Sequence, residues 1–381
     1  MLCAGTLIAQ SGAMVTPFLS YYLVHDRGVS IGTAGLILTV LGSGGIISHL
    51  VGGFLTDRLG PRSTFLGGMV ANGLVLFLLG ASKNLTSIVI FSFLAGLASQ
   101  IYKPASAVFV KDTASSNDRT RAYGLLYWAV NLGYAISMSA GGVLANLGYH
   151  LLFMINSAAS ILCGVLVWVM SRQFSDHSPR GVKNPNLTRA LKDRLALYYM
   201  LSWLPYGIVF GQATTTLPMA LDRAGLAVDS YGIVITANAL VIIAVQPLLG
   251  PTLARYDHNR VLILGMIVLG IGFGANAFAT SLVSYTGSVI VWTLGEIAVT
   301  SVNQSIIASL SPHGIEGTYF GLYGVVWSGT FALAPLLGSH LLSFGPGYLW
   351  ITCLLLCLGA AASQKVIAPA IRRRSNATKL T

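Results

Sequence analysis

Charge is what this sequence has least of. Of its 381 residues, 11 are acidic and 22 basic, so charged residues make up 9% of the chain; a soluble domain carries about 25%. So few charges cannot cover a water-facing surface. A chain that is 54% apolar implies lipid as its main solvent. The net charge of +11 then reads as a marker of one membrane face, and no nucleic-acid partner is expected. Cysteine is scarce too. Cys3, Cys163, Cys353 and Cys357 all fall in apolar stretches, which excludes a disulfide framework and suggests packing thiols. There is no His-Glu-x-x-His metal motif, no Gly-x-Ser-x-Gly nucleophile turn and no phosphate-binding glycine loop. These absences argue against an intramembrane enzyme and a self-contained ATP-driven pump, and no metal or cofactor is expected. No repeated selectivity loop is visible either, which argues against a channel.

What the chain does have is long apolar runs. Roughly twelve segments reach the ~20 residues a helical span needs, near 2–24, 31–55, 64–82, 86–110, 122–147, 150–171, 195–221, 230–253, 261–281, 285–310, 318–343 and 347–368. The expected class is an all-α membrane protein of twelve transmembrane helices. The first run has no charged region ahead of it and eleven runs behind it, so it reads as a span rather than a cleaved leader. Lys and Arg gather in the turns at 58–62, 111–121, 172–194, 255–260 and 365–379, whereas the opposite turns hold only Arg27, Lys83 and Arg223. That asymmetry places both termini in the cytoplasm and the protein, expected to be a monomer, in the cell inner membrane.

The polar stretch from Ser171 to Arg194 is rich in Pro, Ser and Asn. It divides the runs into two sets of six: an N-terminal bundle at 1–171, a linker at 172–194, a C-terminal bundle at 195–368 and a basic tail at 369–381. A short surface helix is expected at 187–194. The halves repeat under a shift of 197 residues. Ala34–Leu41 (AGLILTVL) falls on Tyr231–Asn238 (YGIVITAN), Gly53 on Gly250, Arg58 on Arg255, and YGLLY from Tyr123 on FGLYG from Phe320. Parallel six-span repeats are an arrangement of secondary transporters.

Charges within the runs are few enough to single out. Glu296 in LGEIAV lies near the middle of the tenth run, and Lys103 in YKPASA lies inside the fourth. Lys103 is about 10 Å from the cytoplasmic end at helical rise, and Glu296 is about twice as deep. An ionisable group at bilayer depth marks a pathway or a partner. Glu296 is therefore the candidate proton carrier and Lys103 its electrostatic counterpart, with protons as coupling partner. Pro104 is placed to kink the fourth run. Polar and aromatic residues in the runs are candidates for a substrate cavity. In the first half these are Gln10, Tyr21, Tyr102, Tyr127 and Asn131. In the second half they are Trp203, Tyr206, Gln212, Asn238, Asn303, Tyr323 and Trp327. Aromatic faces with few fixed polar contacts suit an amphiphilic small molecule.

The turn GGFLTDRLGPR, Gly52 to Arg62, resembles the loop 2–3 signature of the major facilitator superfamily, G-x-L-x-D-R-x-G-R-[RK]. Gly53, Leu55, Asp57, Arg58 and Gly60 match, Pro61 stands where Arg is common, and Arg62 fits the next basic position. The resemblance implies the two-repeat major facilitator fold. It also implies a cytoplasmic gate, in which Asp57 meets the start of the eleventh run near Thr318 and the bases Lys111, Arg119 and Arg121. The second half lacks this acid, with Ala254 at the shifted position, so such a latch is one-sided.

YKPASA, RTRAYGLLYWAVNLG and LGEIAV are similar to stretches of proton-coupled multidrug exporters. Proton-coupled oligopeptide importers share Lys-Pro in span 4, Asn-x-Gly in span 5 and Gly-Glu in span 10. Their first span, however, carries E-x-x-E-R, where this chain reads TLIAQSGAMVTPFLSYYL. The exporter signature G-x-x-x-G-P-x-x-G-G reads GYAISMSAGG here, with Gly133, Gly141 and Gly142 retained and Ser137 and Met138 replacing Gly-Pro. Export of amphiphilic molecules by alternating access is the expectation. Import of peptides or similar metabolites is the alternative, and a ligand-binding receptor without transport is the alternative of another class.

Overall fold

The structure is a computed structural model that describes residues 2–115, 118–171, 187–226 and 229–379, with side chains except at 17, 20, 21, 31, 32, 146, 229 and 376–379. The linker expected at 172–194 lies outside the described residues up to 186. The described residues form helices only, in the order α1 (Leu2–Ser11), α2 (Val15–Tyr21), α3 (Ile31–Leu59), α4 (Pro61–Ala81), α5 (Leu85–Ser99), α6 (Tyr102–Thr113), α7 (Arg119–Leu147), α8 (Tyr149–Met170), α9 (Leu187–Lys192), α10 (Arg194–Leu201), α11 (Leu204–Thr215), α12 (Leu217–Arg223), α13 (Asp229–Leu253), α14 (His258–Ala275), α15 (Leu282–Leu310), α16 (Glu316–Phe344) and α17 (Pro346–Lys379).

Local chemistry sets many of the boundaries. Ser30, Asn84, Asp193, Asp257 and Ser281 each accept a backbone N–H in the first turn of the helix they precede, satisfying one of the donors a helix start leaves free. Between α3 and α4 the chain turns at Gly60, with φ +85°, and Pro61 opens α4 where its missing N–H costs nothing. The fourth run is broken at Gln100–Ile101 between α5 and α6. Pro104 has no N–H to offer the Gln100 carbonyl, and Lys103 N–H takes that carbonyl instead, at 3.1 Å.

Nine helical stretches among the described residues are long and apolar enough to cross a membrane, where the sequence predicts twelve runs. The three that differ do so for local reasons. The first run is interrupted at Gly12–Ala13 between α1 and α2 and ends in a π-turn, Tyr22–Asp26. The seventh is cut twice, into α10, α11 and α12, with a proline in the first two positions of α11 and of α12. The fifth forms the unbroken 29-residue α7, but its Arg, Asn and Ser side chains dilute its apolar content. Large apolar side chains such as Leu36, Leu248, Leu336, Leu355 and Val366 are exposed, as a surface solvated by lipid requires.

By packing, the chain divides into two compact units. Unit 1 comprises Met1–Thr113, Ala129–Leu187 and Pro312–Val325, and unit 2 comprises Ala114–Trp128, Thr188–Ser311 and Val326–Thr381. The first turns of α7 thus pack in unit 2 and those of α16 in unit 1. The two division points, after Trp128 and after Val325, are 197 residues apart, the shift of the sequence repeat. Unit 1 is built mainly on α3 against α5 and α4 against α8, around Phe65, Met69, Leu76 and Phe153. Unit 2 is built on α14 between α15 and α17, around Trp292, Trp350 and Phe273. Cys163, Cys353 and Cys357 are buried free thiols. Residues 369–379 continue α17, and its end is pinned in unit 2 by Arg372–Asp257 at 2.8 Å and Arg374–Asp193 at 2.7 Å.

Candidate functional site

In unit 1, the end of α3 meets the start of α16. Asp57 Oδ1 accepts the Gly317 N–H at 2.6 Å, and Oδ2 accepts the Thr318 N–H at 2.8 Å and the Thr318 hydroxyl proton. Both backbone donors belong to the first turn of α16, so Asp57 places its carboxylate on a helix N-terminus, where free N–H groups and the helix dipole favour negative charge. The approach depends on small residues. A Cβ on Gly53 would lie 2.4 Å from the Gly317 carbonyl oxygen, and one on Gly317 would lie 2.4 Å from the Gly53 oxygen. Farther along α16, Gly321 and Gly324 leave room for His49, which is buried on α3. The Gly317-x-x-x-Gly321 spacing is a sequence signal for close helix contact, and neither it nor His49 enters the reading of the sequence above.

Beside Asp57, Lys111 Nζ pairs with Glu316 Oε1 at 2.9 Å, both groups being buried, and Glu316 Oε2 accepts the Gly314 N–H at 2.7 Å. Glu316 is also absent from the sequence-based site. A run boundary set near Thr318 hides an acid that begins the helix. The other expected gate bases lie elsewhere. Arg58 is exposed, over the Phe54 ring. Arg62 binds α4 to α8, stacking on Trp168 and donating to its carbonyl oxygen at 2.8 Å. Arg119 and Arg121 belong to unit 2, where Arg121 lines a cleft with Asp118, Pro251, Ala254 and Arg255.

In unit 2, Glu296 on α15 is buried. Its Oε1 accepts the Tyr127 hydroxyl from the first turns of α7, and its Oε2 accepts the Asn238 amide of α13 at 2.9 Å. Asn238 Nδ2 also donates to Thr293 Oγ1 at 2.9 Å. Among the described residues no Lys or Arg forms an ion pair with Glu296. Tyr127 and Asn238, expected as cavity residues, are the direct partners of this carboxyl group.

The remaining cavity candidates fall into two sets. Trp203, Tyr206, Gln212 and Asn303 are buried inside unit 2. Gln212 ties α11 to α16 through the Ala334 carbonyl and takes the Thr216 hydroxyl, Asn303 accepts from Tyr199, and Tyr206 packs between Trp203, Phe210 and Trp327. Half-buried are Tyr127, Asn131, Asn238, Tyr323 and Trp327, of which Asn131 and Tyr323 lie in unit 1. The Tyr21 side chain lies outside the described residues. Gln10, Tyr102 and Lys103 line a cavity of about 360 Å³ within unit 1, together with Asn72, Gln100, Asn156 and apolar side chains including Val15, Leu41, Met69 and Leu76. Gln10 Nε2 donates to the Tyr102 hydroxyl at 3.0 Å.

Helices of this length and apolarity, with one carboxylate on a helix N-terminus and another sealed among neutral donors, define a multi-pass membrane protein. The family model of the Major Facilitator Superfamily matches residues 1–231 and 213–379, and the chain belongs to that superfamily, whose members are transporters rather than enzymes. Among curated relatives, a Na(+), Li(+), K(+)/H(+) antiporter of Planococcus maritimus is 24% identical over 89% of this chain and 88% of its own length. The multidrug resistance protein MdtH of Aeromonas salmonicida is 23% identical over 81% and 78%. Among solved structures, a bacterial homologue of the iron transporter ferroportin superposes with a TM-score of 0.78 at 16% identity, covering 97% of this chain and 98% of that one.

Proposed function

We propose that the protein is a proton-coupled exporter of amphiphilic small organic molecules, working by alternating access across the cell inner membrane with both termini cytoplasmic. The observation that carries this reading is the environment of Glu296: deep burial, two neutral donors and no cation among the described residues. Ionised, the group accepts from Tyr127 and Asn238. Protonated, it can donate to the tyrosine oxygen, because a phenol works in both directions. A site that holds either form without rearranging is suited to take up a proton in one conformation and release it in another. Lys103 is the second intramembrane charge of this scheme. The scheme uses twelve crossings in two repeats, with the broken first and seventh runs counted as crossings, and the shared 197-residue shift supports that count. Asp57, capping α16 beside the Lys111–Glu316 pair, acts as a latch that closes the cytoplasmic side and is released as the cycle turns. The relatives named as a cation/H(+) antiporter and a multidrug resistance protein support coupling and export.

The test is flux of a fluorescent amphiphile in proteoliposomes with and without an imposed pH gradient. Gradient-dependent movement is expected, and Glu296→Gln is expected to abolish it while sparing substrate binding. Equal flux with and without the gradient refutes proton coupling. Inward accumulation that dipeptides compete away selects import, and binding without uphill movement selects a receptor.

A further inference from the structure

We propose that the cavity in unit 1 binds the carboxylate of an amphiphilic organic acid or zwitterion against Lys103, with the apolar body of the ligand on the facing wall. The proposal rests on the transporter reading and names the chemical class of its substrate. The cavity, about 360 Å³, falls within the range of small-molecule sites, which are apolar chambers with a few convergent polar groups. Its apolar wall comes from α3, α4 and the start of α2, through Leu41, Met69, Leu76 and Val15.

Its polar wall carries one charge. Lys103 lies in the broken region of the fourth run, is exposed, and is one of the residues that line the cavity. Among the described residues no acid pairs with it. A cation held at bilayer depth without a partner is costly, and an anionic group brought by a ligand offsets that cost. Among the described residues the neighbouring hydroxyl donates to no acceptor. The Tyr102 hydroxyl accepts from Gln10, so its own proton remains available for a ligand oxygen. The α5–α6 break, imposed by Pro104, brings Tyr102 and Lys103 at the start of α6 onto this wall with Gln100. An ammonium and a phenol hydroxyl that line one cavity can together receive a carboxylate. An organic cation meets the like charge of Lys103 there.

The experiment uses the purified full chain in detergent and three probes on one ring system: 2-naphthoate, 2-naphthamide and 2-naphthylmethylamine. Equilibrium binding is measured by calorimetry for the parent chain, Lys103→Gln, Lys103→Arg and Tyr102→Phe. The parent is expected to prefer the carboxylate over the amide and the amine. Lys103→Gln is expected to weaken naphthoate by about 10- to 100-fold with little change for the amide, and Lys103→Arg to retain the preference in part. Equal affinities for carboxylate and amide in the parent, loss of both probes in Lys103→Gln, or no naphthoate binding overturns the proposal. Binding in detergent needs no proton gradient. Selective binding without gradient-driven flux in proteoliposomes refutes the transport reading and leaves the site standing, whereas flux without carboxylate selectivity does the reverse.

Discussion

Asp57→Asn separates the latch from a surface turn. The carboxylate accepts two backbone N–H groups and one hydroxyl from the first turn of α16. The substitution keeps the shape, but one oxygen becomes an NH₂ group that meets a donor. At least one charge-assisted bond is lost, worth about 1.5–3 kcal/mol, and the interaction with the helix N-terminus falls by about 0.3–1 kcal/mol more. The α3–α16 contact should weaken by roughly 2–4 kcal/mol, or between about 30- and 700-fold in its opening equilibrium at about 1.4 kcal/mol per decade. Ile315, which immediately precedes α16, is buried and makes a reporter. With Cys3, Cys163, Cys353 and Cys357 replaced, Ile315→Cys should react slowly with a membrane-impermeant maleimide added from the cytoplasmic side. Adding Asp57→Asn should speed labelling by at least about tenfold, since local opening sets the rate. Arg58→Ala should change it less than about twofold, because Arg58 is exposed and packs over the Phe54 ring of its own helix. An unchanged rate in a folded Asp57→Asn protein refutes the capping argument.

Three further outcomes follow from the same geometry. Gly53→Ala puts a Cβ 2.4 Å from the Gly317 carbonyl oxygen and should cost about 1–3 kcal/mol as α3 and α16 are forced apart, read as a lower unfolding temperature in detergent and faster labelling at Ile315→Cys. Lys111→Met takes the lysine from the buried Glu316 carboxylate, which keeps the Gly314 N–H and His313 Nδ1 at 3.3 Å, and should cost up to about 3–5 kcal/mol; adding Glu316→Gln should recover most of the loss, and equal stability of the single and double variants would show the pair to be idle. Tyr127→Phe removes the hydroxyl that donates to Glu296 Oε1, so it should slow gradient-driven flux while leaving unfolding temperature within a few degrees, whereas Glu296→Gln should remove coupling altogether.

The sequence by itself determined the solvent, the secondary structure and the position of the loop 2–3 turn. Hydropathy, proline placement and capping residues act over a few residues, so runs such as 31–55 and 285–310 could be read directly and became α3 and α15. The same locality explains the differences. Hydropathy averaged along the first and seventh runs passes over Gly12–Ala13 and Ser202–Trp203, where the backbone nevertheless breaks. Only the tertiary structure decided which groups meet. Lys111 and Glu316 are 205 residues apart, and Tyr127 and Glu296 are 169 apart. Scarcity marked Glu296 and Lys103 as important, but it could not show that Glu296 is held by a phenol and an amide, or that Lys103 opens onto a cavity of its own unit. Lys111, rather than Arg119 or Arg121, stands beside Asp57 because α7 delivers its first turns to unit 2 while α16 delivers its own to unit 1. That exchange is set by how helices pack across hundreds of residues, where no local pattern in the chain records the outcome.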